Sequence, residues 1–397
     1  MKTGKSILFG VLFSGLACLF GMVSCNSQPT EEQAQAALEK KGGMVVTLAP
    51  DVPGMLYALS DYNQSEDFKE ALEAAKTCAI KDDYLSTFVY AYGAFSGFRL
   101  SSTFCTYELR DRITYSSSNQ EVEAVLREEI ETTIHNSAVV LQTRLYQYGI
   151  KNAFVKVTED NRIIALIPDV KDPERVRHLM QADGRLEFWE TIENSELYPK
   201  LAQVNSSLPP LFELLIPYVA EDGTPMSGPV VGMAYEADTA QVNAMLASEI
   251  AKNILPLCCT RFVWTAKPMS EREPYYQLVA LKDVRGVPVL RGDVITKAKV
   301  VHNKGYYGPV IDITMNQEGA RALHRITMEN LALSIAIVVD GSVCSYPKVQ
   351  SEITNGKCQI AANFTQEEAE DLANMLSSGI LPCHVNIVEE QIIEPQK

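Results

Sequence analysis

Nine cysteines and five histidines are the residues of this chain best suited to nucleophilic, redox or metal chemistry. Their spacing offers little of it. His135, His178, His302, His324 and His384 fall in separate segments, and there is no CxxC or zinc-type Cys/His cluster. Cys258-Cys259 and Cys383-His384 are the tightest couples. Neighbours in a strand face opposite sides, so Cys383 and His384 would not address one substrate from there. Phosphate loops, serine-hydrolase elbows, metalloprotease helices and calcium loops find no match. Asp340 beside Gly341 could act as an acid, yet Asp-Gly is also what a tight hairpin asks for. We expect no catalytic residue, no metal site and no cofactor. The residue chemistry favours a binding or mechanical domain over an enzyme.

Charge and hydropathy set the surroundings. Lys+Arg is 35 against Asp+Glu 50, a net charge of −15, so nucleic acid is not an expected partner. With 46% hydrophobic and 21% charged residues, the composition is that of an ordinary globular protein. Lys2 and Lys5 precede an uncharged apolar stretch from Ser6 to Val23, and a polar run begins at Asn26. This pattern predicts a secretory signal over residues 1–24, or, if uncleaved, a membrane anchor. Met22-Val23-Ser24-Cys25 resembles a lipobox, in which Cys25 receives lipid. A periplasm-facing lipoprotein of the cell envelope is expected, held to a membrane without crossing it. Asn26 is not a retention signal of the aspartate kind, which favours the outer membrane over the inner. Beyond Cys25 no apolar run approaches the ~20 residues of a membrane helix.

The elements that would position these residues alternate between helix and strand. Residues 25–41 read as a polar tether with some helix character, and Gly42-Gly43 marks a turn or close backbone contact before a strand at 44–48. A helix is expected over 64–82, and the aromatic, serine-rich stretch 84–118 shows little periodicity. Val122, Leu126, Ile130 and Ile134 recur every four residues and predict a long helix from Asn119 to about Tyr148. Strands at 153–157 and 163–167, a helix opened by Asp172-Pro173 and a strand at 185–189 follow. Residues 191–294 are rich in Pro and Gly, with a helix over 238–255 and strands at 261–266 and 276–281. The last third reads as a strand (310–315), a helix (317–330), a buried strand (335–339) with an Asp340-Gly341 hairpin, and a helix capped by Thr365 and ended by Gly379. A strand over 384–390 closes it. Seven cysteines remain after Cys18 and Cys25, and Cys344 with Cys358 could form a cross-strand disulfide. The fold class is α+β, with helices on a sheet.

The segment Asp312–Pro382 resembles the extracytoplasmic domain of SecD and its fused SecDF form, the accessory subunit of the bacterial Sec translocon. The resemblance runs through Thr314–Ala320, Ala336–Gly341, Ser345-Tyr346-Pro347, Phe364-Thr365, Asp371-Leu372-Ala373 and Gly379–Pro382. Upstream it includes Lys41–Met44, Arg144–Gly149, Asp172–Arg175 and Leu186–Phe188, with Gly228–Gly232 and Trp264–Pro268 similar to longer SecDF variants. The family motif falls on Gly42, Gly43, Gly319, Asp340, Gly341, Pro347, Phe364, Gly379 and Pro382. The resemblance implies a ferredoxin-like base (42–192, completed by 383–391), an intermediate extension (193–294) and an inserted α+β head (295–382). It also implies a role beside exported or unfolded polypeptide and Sec translocon subunits. Without spanning helices no proton-driven step of its own is expected. The alternative is a structural envelope lipoprotein that keeps the fold for a partner unrelated to export, and a third reading is a thiol enzyme using Cys258 or Cys259.

Overall fold

The computed structural model describes residues 29–77, 83–96, 99–208, 210–256, 259–270, 272, 274–284, 286–302 and 308–395. The expected signal, Cys25 and Cys258 lie outside them.

The chain begins with α1 (Glu31–Lys41), β1 (Gly43–Pro50), α2 (Val52–Leu59), α3 (Glu66–Thr77), α4 (Tyr84–Ser96), α5 (Leu100–Phe104) and α6 (Asn119–Gln147). Then come β2 (Phe154–Val157), β3 (Ile163–Pro168), α7 (Pro173–Gln181) and β4 (Leu186–Glu190). The middle holds α8 (Asn194–Ser207), α9 (Leu211–Leu214), β5 (Ile216–Pro217), β6 (Val230–Tyr235), α10 (Glu236–Leu246), α11 (Glu249–Ile254), β7 (Thr260–Trp264) and β8 (Tyr275–Lys282). The last part holds β9 (Leu290–Arg291), β10 (Ile295–His302), β11 (Pro309–Met315), α12 (Gln317–Glu329), β12 (Ile335–Val339), β13 (Ser342–Ser345), β14 (Lys357–Ile360), α13 (Gln366–Ser378) and β15 (Val385–Ile393). The class is α+β, with every ladder between these strands antiparallel.

The first lobe is built on a sheet in the order β15-β1-β3-β2, so an early strand and the last one are neighbours. Met44, Val46 and Leu48 alternate into a core with α6 and α7, and α2 to α5 extend that core around Phe68, Phe88, Tyr92 and Phe104. The helices of 84–104 escape a periodicity search because Ser, Thr and aromatic residues on both faces blur the stripe. α6 opens with a capping box, Ser118 with Glu121, and turns Val122, Leu126, Ile130 and Ile134 inward.

Three expectations need correction here. Residues 31–41 do not hang as a tether. They form α1, which buries Ala34 and Leu38 against Leu166 on the sheet's other face. The capping box of Thr30 and Gln33 starts this helix, and Glu31–Lys156 and Lys41–Asp169 ion pairs bracket it. Residues 186–190 leave the first sheet and enter another, ordered β13-β12-β4-β9. The helix expected over 238–255 is two, because Ser248 caps a fresh start at α11.

The second lobe stacks three sheets. β4 and β12 are apolar on both faces: Leu186, Phe188, Ile335 and Ile337 point into a core with α12, α13 and the sheet β10-β11-β14. Trp189, Ala336 and Val338 point the other way, onto Val230, Val263, Val279 and Leu281 of the sheet β5-β6-β8-β7. A strand buried on both sides reads as a continuous apolar run, which is how Ile335–Val339 looks. α8 to α11 cover the far face of that last sheet. Cys344 and Cys358 sit on β13 and β14, strands of different sheets, and both thiols are free, so the cross-strand disulfide is not formed. Burial pushes them up to about 11 and about 12. No helix among the described residues is long and apolar enough to cross a membrane.

Candidate functional site at the junction of the lobes

The chain passes between the lobes twice, at residues 182–185 between α7 and β4, and at 379–384 between α13 and β15. The crossings are bonded to each other: the Leu381 N–H donates to the Asp183 carbonyl at 2.9 Å. Asp183 also accepts from or shares a proton with His384 Nδ1 at 2.8 Å. Cys383, beside it, turns away to Ser137 Oγ at 3.3 Å and is buried. The couple is divided between two sides of the chain.

One arginine holds both crossings. Arg144, near the C-terminus of α6, is 0% exposed. Its guanidinium donates to the carbonyl oxygens of Leu179 (3.3 Å), Ala182, Asp183 (3.0 Å) and Gly379 (3.2 Å). Leu179 and Ala182 end α7 and Gly379 ends α13, so the cation sits where two helices expose spare carbonyls and the negative ends of their dipoles. Burial pushes its pKa down to about 10, against the pull of Asp340 and Asp183, and it stays charged at neutral pH. Among the described residues its Nε has no partner. Asn374 of α13 donates back to the Arg144 carbonyl at 3.1 Å. Gly184 has φ 74°, and a Cβ there would lie 2.9 Å from Arg144 Nη2, so a side chain would displace the clamp.

Asp340 fixes the first crossing from the opposite side. Its carboxylate accepts from the Gly184 N–H at 3.1 Å and the Arg185 N–H at 2.8 Å, while its own N–H donates to the Arg185 carbonyl at 3.0 Å. Asp340 and Gly341 have φ of 47° and 82°, the paired left-handed angles of a tight hairpin turn. One residue is thus both turn and clamp, and its carboxylate is occupied by backbone.

Beside the junction lies a cleft of about 730 Å³ with both lobes in its walls. Lys41, Tyr148, Gly149, Lys151, Asp169 and Lys171 line one side, and Val300, Glu370, Asp371, Ala373 and Asn374 the other. Arg175 of α7 bridges the lobes, gripping Asp371 with Nε and Nη2 at 2.8–3.0 Å, and it lies 5.1 Å over the Tyr148 ring.

The structure gathers part of the motif here. Asp340, Gly341, Gly379 and Pro382 stand at the crossings, Pro382 between the buried Leu381 and Cys383. Gly42 and Gly43 follow Lys41, which stands in the cleft wall. A Cβ on Gly43 would stand 2.2 Å from the Ile167 carbonyl, the close backbone approach expected of the pair. Gly319, Pro347 and Phe364 lie elsewhere in the second lobe: Gly319 under Val294, Pro347 accepting from the Ile335 N–H, Phe364 against the core of α12 and α13. Sequence reading missed Asp183, Gly184 and the Arg175–Asp371 bridge. Only Gly184, three residues past the end of α7, carried a local signal.

Residues 134–193 match the family described as "Protein translocase subunit SecDF, P1 domain, N-terminal", and residues 269–383 match "SecDF, P1 head subdomain". Both matches are to segments of the SecD P1 domain. The SecD of Rhodothermus marinus is 31% identical over 398 residues, covering 92% of this chain and 63% of the relative. That of Magnetococcus marinus is 25% identical over 294 residues, covering 72% and 46%. The chain therefore spans less than two thirds of the curated relatives it matches. A solved structure described as "Structure and function of a membrane component SecDF that enhances protein export" is 20% identical, with TM-score 0.41, covering 65% of this chain and 92% of that one. Within the P1 segments, Arg144 and Arg175 come from the first match, and Asp340, Asp371 and Gly379 from the second. The junction is where the two SecD P1 segments meet.

Proposed function

We propose that this chain is a SecD-type accessory of protein export, which holds emerging polypeptide or Sec translocon subunits on the extracytoplasmic side. The observation that carries this reading is the junction: the two matched segments meet where two bonded crossings join the lobes, with a cleft of about 730 Å³ beside them. The path β1, α6, β2, β3, α7, β15 in the order β15-β1-β3-β2 supports a ferredoxin-like base, and the second lobe takes the part of head plus extension. Lipid on Cys25 anchors the protein in the cell envelope, facing the periplasm, and the motif residues Asp340, Gly341, Gly379 and Pro382 set the crossings between the lobes.

Photocrosslinkers at Ser345 and Lys348, and a third at Lys151 in the cleft, test it during export of a secreted protein. Crosslinks to the exported chain or to Sec subunits are expected. Their absence, with labelled protein correctly folded and located, overturns the reading. Metabolic labelling with palmitate, lost in Cys25→Ala, checks the anchor.

A further inference from the structure

β10 is an edge strand, paired only with β11. Along such a strand every second residue sends its N–H and C=O outward, away from the sheet. Ala298 shows which residues these are. Its N–H donates to Ser377 Oγ at 3.3 Å, and its carbonyl accepts from the same hydroxyl at 3.1 Å. The period of the ladder is two, so Val300 and His302 present their N–H and C=O on that side as well. The register agrees: His302 stands opposite Pro309, which has no N–H to give. Among the described residues nothing accepts from or donates to the outward groups of Val300 and His302. Val300 is also part of the cleft wall, beside Ala373 and Asn374.

The charges of the cleft are unequal once pairs are set aside. Lys41 is bonded to Asp169, and Arg175 to Asp371 and Glu370. Lys151 and Lys171 line the same cleft with no ion-pair partner among the described residues. An occupant that satisfies both demands offers an extended backbone and carries carboxylates.

We propose that the Val300–His302 edge takes up a short extended segment of polypeptide by strand addition, with acidic side chains of that segment set against Lys151 and Lys171. This rests on the reading of the domain as one that holds polypeptide, and names how and which. Ser377 closes the edge at Ala298, so the added strand pairs over three residues, about 10 Å at ~3.3 Å per residue. Such a contact is brief and indifferent to most side chains, because backbone groups supply it.

The test is a titration of the full chain, labelled with [15N]valine and [15N]histidine, against a peptide of alternating threonine and glutamate. A copy N-methylated at alternate residues and a lysine-for-glutamate version serve as comparisons. The Val300 and His302 amides are expected to shift and exchange more slowly, with both comparison peptides binding at least about tenfold more weakly. Lys151→Glu with Lys171→Glu is expected to reverse the charge preference. Binding that leaves those two amides unchanged, or equal affinity for the N-methylated copy, overturns the edge site while polypeptide binding stands. No binding by any peptide, with crosslinks from Ser345 or Lys348 still formed during export, overturns the edge site alone. Loss of both overturns the underlying reading too.

Discussion

Arg144 is an ionised side chain sealed in the protein with carbonyl oxygens and, among the described residues, no carboxylate in contact. A buried cation of this kind persists because four acceptors aim at it and two helix ends lend partial negative charge. Arg144→Met is expected to cost about 3 kcal/mol or more, since it strands those carbonyls in a buried site. Arg144→Lys recovers only part of that, because an ammonium cannot fork to both crossings. Urea unfolding midpoints of the two variants check the order. Asp340 teaches a related lesson. The Asp-Gly pair announces a turn, and sequence could go no further, because its carboxylate is used by backbone amides 155 and 156 positions away.

Ladders and helices carry their own predictions. α1 holds the outer face of the first sheet through Leu38, which is 1% exposed. Leu38→Ala is expected to lose about 2–4 kcal/mol and to release α1 first, seen as faster amide exchange across residues 31–41. At the sheet's other face, Arg177 of α7 grips Glu390 of β15 at 2.6 and 2.7 Å and holds its carboxyl below the usual value of 4.5. A lowered pKa means that the stability is fully present above pH 4.5 and is lost as pH falls through the lower folded value. The stability gap between the protein and Glu390→Gln, followed by urea midpoint against pH, should close on that acid limb alone. Elements of this kind were largely legible: α6 showed its stripe, α12 its Asn316 cap and α13 both, and the hairpins showed their turn residues. α4 and α5 were not, because their aromatic clusters erase the stripe. α1 showed some helix character, but its short apolar face does not reveal the sheet it packs on. β10 was missed for the same reason as the cleft: an edge strand alternates weakly when one side meets solvent and lysines.

At the scale of the whole molecule, packing on both faces of β4 and β12 ties the three sheets of the second lobe together, and they are expected to unfold as one. Trp189 is 1% exposed, between β4 and the sheet of β6, β7 and β8. Trp189→Ala is expected to cost about 3–5 kcal/mol and to make residues 193–282 sensitive to protease together with the β12–β13 hairpin, not before it. The lobe arrangement itself could not be read from pattern, since it depends on which sheet claims β4, and a five-residue strand carrying Leu186, Phe188 and Trp189 suits either. One further consequence follows from the register of the first sheet. Gly43 at the start of β1 lies opposite Ile393 at the end of β15, so the two segments enter and leave side by side. Tension applied between them would open that ladder like a zip, a rung at a time from Gly43 towards Pro50, rather than shearing all its bonds together. The protein yields at low force there, and Leu38 under the sheet is the first latch such a pull would meet.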